Sequence, residues 1–110
     1  MTDPFLQHLG LARRAGQVLA GQDRFLDRFR REPCYLIVMT TDAGAAARRK
    51  IGGLAERHGI PLLTWYDRNT LGSALGLDRC TVVGLTDKGF AENLIRKIPA
   101  GSKVTGIPEE

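Results

Sequence analysis

Apolar residues along the chain recur alternately at helical and at strand-like spacing, so short helices and short strands alternate from end to end. Asp3-Pro4 opens the first helix, a capping carboxylate followed by proline at the first helical position. Phe5, Leu6, Leu9 and Ala12 form its apolar face, Arg13 and Arg14 fill its last turn, and Gly16 stops it. Val18–Ala20 is a very short strand ending at Gly21. The next helix, Gln22 to Arg31, turns Phe25, Leu26 and Phe29 inward and ends before Pro33. Tyr35–Met39 is a continuous apolar run, as expected of a central strand covered on both faces.

The second half repeats the alternation. Asp42 is placed to cap a third helix carrying Ala45–Ala47, Ile51, Leu54 and Ala55 and closed by Gly59. Gly52-Gly53 weakens that helix by about 1 kcal/mol per glycine relative to alanine, which predicts close packing there. Pro61–Trp65 is the third strand. Asp67 caps a short helix with Leu71, Ala74 and Leu75, stopped by Gly76. Cys80–Leu85 is the fourth strand, and a last helix from Asp87 holds Phe90, Leu94, Ile95 and Ile98 until Pro99. The pattern predicts an α/β chain: a three-layer α/β/α sandwich with one central, mixed, four-stranded sheet. Residues 1–98 are expected to form a single domain and 99–110 a flexible tail.

Composition narrows the function classes. The chain has 110 residues, 43% apolar and 25% charged, near the average for a globular domain. No apolar run approaches the roughly 20 residues of a spanning helix. The opening Met-Thr-Asp-Pro-Phe lacks the pattern of a secretory signal, so a cytoplasmic location is expected. Cys34 and Cys80 sit among apolar neighbours, as buried thiols do. Net charge is +4, and twelve of the sixteen basic residues are Arg, whose forked donors grip phosphates and guanine edges.

Catalytic patterns are missing. His8 and His58 have no ligand partners at metal spacing, and there is no Gly-x-Ser-x-Gly elbow, phosphate loop or dinucleotide-binding turn. Asp42, Asp67 and Asp87 each follow a strand, but capping explains them better than a metal site. No catalytic residue, metal or cofactor is expected. One stretch, residues 15–31, combines glycines, polar groups and arginines beyond the needs of a core. Gly21 opens a helix and leaves the N–H groups of Gln22 and Asp23 free for a phosphate. Arg24, Arg28 and Arg31 share the face opposite Phe25, Leu26 and Phe29; an ordinary solvated face is the competing reading. A second turn, Leu85-Thr86-Asp87-Lys88-Gly89, follows the fourth strand. If that strand lies next to the start of the second helix, both turns line one edge of the sandwich.

The segments at 9–21 (LGLARRAGQVLAG), 35–43 (YLIVMTTDA), 58–65 (HGIPLLTW), 71–76 (LGSALG) and 81–95 (TVVGLTDKGFAENLI) together identify a resemblance. The chain resembles the kink-turn-binding ribosomal protein superfamily of archaea and eukaryotes, and most closely its small bacterial members of the YlxQ-like type. The resemblance implies an α/β/α sandwich, no enzymatic activity and a structured RNA partner, a ribosomal one among the candidates. It implies RNA contacts at Gly21, which begins the family's helix-start signature, at Asp42, and at the second loop, Leu85, Thr86, Asp87 and Lys88. Asp23, Arg24 and Asp27 stand where the family usually carries Asn or Lys, Glu or Gln, and Lys. A carboxylate at the lysine position repels phosphate, while Arg24 and Arg28 offer donors from neighbouring positions. The alternative is a protein-interaction module of the same fold, acting through a protein partner or a fused domain.

Overall fold

The computed structural model describes residues 3–106; the Met-Thr start and the last four residues of the expected tail lie outside the described residues. Helix α1 (Pro4–Arg14) is held by Asp3, whose carboxylate accepts the Phe5 N–H at 2.8 Å and the Leu6 N–H at 3.3 Å. Strand β1 (Val18–Ala20) and helix α2 (Gln22–Arg28) follow. The helix ends three residues earlier than its apolar spacing suggests. Beyond Arg28 the chain tightens into a turn that ends ahead of Pro33, with the Arg31 and Glu32 N–H groups sharing the Arg28 carbonyl.

Strand β2 (Leu36–Met39) is wholly buried and leads to α3 (Ala45–His58), β3 (Leu62–Thr64) and α4 (Arg68–Ala74). Strand β4 (Val82–Leu85) and α5 (Lys88–Arg96) complete the expected series. Asp67 and Asp87 cap their helices, accepting the Thr70 N–H at 2.7 Å and the Phe90 N–H at 2.9 Å. Asp42 does not cap α3. That position belongs to Gly44, and Asp42 reaches instead across the loop to Arg68.

The sheet contains five strands rather than the four expected, in the order β1-β4-β2-β3-β5. The addition is β5 (Lys103–Thr105), inside the segment expected to be a free tail. It pairs antiparallel with β3, Leu62 opposite Thr105 and Thr64 opposite Lys103. Only Val104 turns toward the core, so three residues with polar flanks carry too little periodic signal to read as a strand. The sheet is mixed, as expected: β2 and β3 run parallel, while β4 is antiparallel to both β1 and β2.

Helices cover both faces. Phe5, Leu9, Leu71 and Leu94 bring α1, α4 and α5 against one face, and Phe25, Ile51 and Leu54 bring α2 and α3 against the other. Two glycines make the close approaches. A methyl group on Gly84 of β4 would stand 2.6 Å from the Phe25 ring, and one on Gly72 would stand 2.5 Å from the Arg79 backbone. Gly52, where close packing was expected, does the opposite: an added methyl would meet nothing within 4 Å. It faces an open cleft.

Gly84→Ala therefore forces the Phe25 ring off the sheet. The variant should lose about 1–3 kcal/mol of unfolding free energy in urea, as overpacked cores do. An unchanged denaturation midpoint would show that α2 is not seated on Gly84.

Candidate nucleic-acid interface

Gly21 ends β1 and reverses the chain into α2 at φ +99°, a conformation that L side chains rarely adopt. Its N–H donates to the Val82 carbonyl at 2.8 Å, which fixes the turn to the start of β4. Phe25 is the one fully buried side chain of the short α2, and its seat on Gly84 sets the helix over the sheet. Gln22 is half-buried, while Asp23, Arg24 and Arg28 are exposed. Asp23 lies in the first turn, where a carboxylate complements the helix dipole. Arg28 pairs with Glu32 at 3.3 Å, whereas Arg24 has no ion pair among the described residues.

Hydrogen bonds run from this turn across the same end of the sheet. Thr40 donates its N–H to Thr81 at 2.9 Å, and Thr41 donates to the Tyr66 carbonyl at 3.0 Å. Asp42 stands in this row. Its carboxylate accepts both the backbone N–H and Nε of Arg68 at 3.3 Å, and its carbonyl accepts Nη2 at 2.6 Å. The pKa of Asp42 is lowered, first by the nearby Thr40 hydroxyl and then by Arg68. Thr40 is fully buried, and its hydroxyl sits close to that carboxylate yet outside good hydrogen-bond geometry with any described group. Asp42 therefore ties the loop after β2 to the start of α4 and carries a largely compensated charge.

The turn after β4 lies elsewhere. β4 is indeed the neighbour of β1, but it runs in the opposite direction, with Val18 opposite Leu85 and Ala20 opposite Val83. Thr86 consequently meets Gln17 at the start of β1, its N–H donating to the Gln17 carbonyl at 2.9 Å and its hydroxyl to Oε1 at 3.2 Å. The two turns are separated by the length of β4, roughly 13 Å at 3.3 Å per residue. Leu85 is a fully buried core residue, Asp87 is engaged as a cap, and Lys88 is exposed. Gly21, Gln22, Asp23, Arg24 and Asp42 thus share one end of the sheet, Arg28 lies farther along α2, and Leu85–Lys88 occupy the opposite end.

Sequence reasoning missed the segment that does adjoin Gly21, residues 80–82, which Arg79 precedes. Arg79 is exposed and its backbone is pressed against Gly72 in the Leu-Gly-Ser-Ala-Leu-Gly motif, the one signal that pointed there. Beside it, burial raises the pKa of the Cys80 thiol; burial also pushes that of Cys34 up to about 11, so neither thiol is an activated nucleophile. His8 packs against Phe90, its pKa lowered by desolvation and then by Lys97. Among the described residues no three His, Cys, Asp or Glu side chains come together, and no helix is long and apolar enough to cross a membrane.

A glycine-opened helix at one end of a mixed, helix-covered sheet places the chain among α/β/α sandwich proteins that present a loop-built surface. The chain belongs to the ribosomal protein L7Ae/L30e/S12e/Gadd45 family, whose model matches residues 4–95. It is 33% identical over 87 residues to the RNA-binding protein YlxQ of Bacillus subtilis, covering 79% of this chain and 87% of that one. With the RNA-binding protein YlxQ of Enterococcus faecium it shares 25% identity over 76% of this chain and 81% of the relative. The fold matches a Bacillus halodurans protein of unknown function at a TM-score of 0.81 and 29% identity, over 86% of this chain and 96% of that one. It also matches the Giardia lamblia 15.5kD RNA binding protein at a TM-score of 0.70 and 17% identity, over 83% and 78% of the chains, a likeness of fold alone.

The Asp42–Arg68 link carries a pH signature. The folded carboxyl has a pKa below its ordinary value of 3.8, so its stabilisation is complete above that value and is lost as pH falls through the lower one. Asp42→Asn should be less stable than the parent in urea at about pH 6, with the gap narrowing at about pH 3. A gap of constant size would mean that the carboxylate charge contributes nothing.

Proposed function

We propose that this chain is a non-enzymatic, cytoplasmic RNA-binding protein that recognises structured, kink-turn-like RNA, ribosomal RNA included, without a cofactor. The observation that carries the reading is the Gly21 turn. It lies within the segment matched by the family, it is pinned to β4 with no side chain above it, and it is followed by the exposed Arg24. Relatives named RNA-binding protein support the same reading.

Gly21, Gln22, Asp23 and Arg24 form the centre of the contact, with Arg28 on the flank and Asp42 at the neighbouring loop. Arg24 supplies bidentate donors to phosphate or to a guanine edge in place of the family's usual residues. Arg28 first has to leave Glu32, an exposed pair of little intrinsic strength. Leu85, Thr86, Asp87 and Lys88 contribute to the same RNA only if it spans the full height of the sheet, so they are not needed for the core contact. One feature favours the second reading, a protein-interaction module: Asp23 and Asp27 are both exposed and repel phosphate beside the turn.

Arg24→Ala combined with Arg28→Ala should weaken binding of a kink-turn RNA about tenfold. The same change should flatten the log–log salt dependence by about 1 for each lost phosphate contact, with the thermal midpoint unchanged. Equal affinity and equal slope in a filter-binding titration would remove α2 from the interface and leave the protein-interaction reading in its place.

A further inference from the structure

On the face covered by α2 and α3, the outermost strand β5 exposes Lys103 and Thr105. A cleft of about 820 Å³ opens there between α3 and the β3–β5 edge, within the roughly 300–1,000 Å³ typical of small-ligand sites. Its wall on α3 includes Arg48, Gly52 and Glu56, spaced to share one helix face. Its opposite wall is β3 and β5, with Leu62 on the floor and Lys103 opposite Thr64. Trp65 also lines it and is 36% exposed, an unusual state for the only tryptophan in the chain. β5 lies beyond residues 4–95, so the outer wall is not part of the segment matched by the family.

The cleft is polar at its ends and apolar between them. Arg48, which donates to the Thr41 carbonyl, and Lys103 place two cations at the end of the sheet shared with Gly21 and Asp42. Glu56 lies two helical turns below Arg48, about 12 Å away along α3. Gly52, midway between them, weakens the helix and packs against nothing. What the glycine does is keep the cleft open.

We propose that this cleft is a second binding site that takes one unpaired nucleotide of RNA, an inference that rests on the RNA-binding reading above. The phosphate meets Arg48 and Lys103, the base lies over Leu62 against Trp65, and Glu56 accepts from an exocyclic amino group such as that of adenine. An acidic peptide would match the cations but would leave the flat apolar floor and the carboxylate unmatched. The shared sheet end places this nucleotide next to an RNA held at Gly21, in the position of a single-stranded extension.

The test uses the full chain and fluorescein-labelled penta-adenylate, read by anisotropy and by quenching of Trp65. Saturable, salt-sensitive binding with quenching is expected. Arg48→Ala combined with Lys103→Ala should weaken it about tenfold or more, and so should Gly52→Leu, which fills the cleft while favouring the helix. Circular dichroism should show Gly52→Leu folded with an undiminished thermal midpoint. Blunt kink-turn RNA should bind Gly52→Leu as it binds the parent. Failure of the parent to bind kink-turn RNA, with penta-adenylate binding and its loss in the cleft variants intact, would count against the Gly21 surface and not against the cleft. No saturable penta-adenylate binding, full affinity in both cleft variants, or equal affinity for a glutamate-rich peptide would overturn the proposal.

Discussion

The seat of Phe25 on Gly84 is the contact on which the rest of the arrangement depends. α2 is two turns long and buries one side chain completely, so neither helix propensity nor a broad apolar face holds it in place. The ring lies where a side chain on β4 would otherwise stand, with the Phe29 ring tilted against it at a centroid distance of 5.5 Å. A glycine in the middle of a central strand weakens the strand itself. In return it brings the helix down onto the sheet, and the Gly21 turn follows because its N–H is tied to the same strand, at Val82. Position and orientation of the exposed Arg24 are thus set by the packing of its uncharged neighbour, Phe25.

Strand direction decides which loops can act together. Because β1, β2 and β3 run the same way and β4 runs against them, one end of the sheet collects the exits of three strands and the entry of a fourth. Gly21, Thr81, Thr40 to Asp42, and Trp65 to Tyr66 form a continuous row there, joined by backbone hydrogen bonds. Lys103 extends it onto β5. A ligand lying along this row passes from the glycine turn to the open cleft without leaving one edge of the protein. Charge along it is uneven: Asp42 is compensated by Arg68, whereas Arg24, Arg48 and Lys103 have no carboxylate partner among the described residues. The net charge of +4 therefore says less than the local distribution.

What was legible in the sequence was local. Asp3-Pro4, Asp67 and Asp87 announce helix starts through atoms within three residues, and the run ending at Met39 announces a buried strand through its own composition. The family resemblance was legible for the same reason, since its motifs are short and contiguous. Features set by distant partners were not. Asp42 carries the same capping signal as the other two aspartates, but Arg68, 26 residues away, takes it up. The turns at Gly21 and at Leu85–Lys88 look equivalent until the antiparallel register sends them to opposite ends. β5 is three residues with one apolar side chain, and Gly52 resembles a packing glycine until the space beside it is seen to be open.

The proposed interface holds RNA at the sheet end bearing Gly21 and not at the end bearing Thr86. The most direct measurement is nuclear magnetic resonance mapping of backbone amides in the labelled full chain, titrated with a kink-turn RNA. Saturable shifts are expected at Gly21 to Arg24, at Asp42 and at the adjoining Thr81, with Thr86 to Gly89 unperturbed. Shifts centred on Thr86 to Gly89, with Gly21 to Arg24 unmoved, would contradict it.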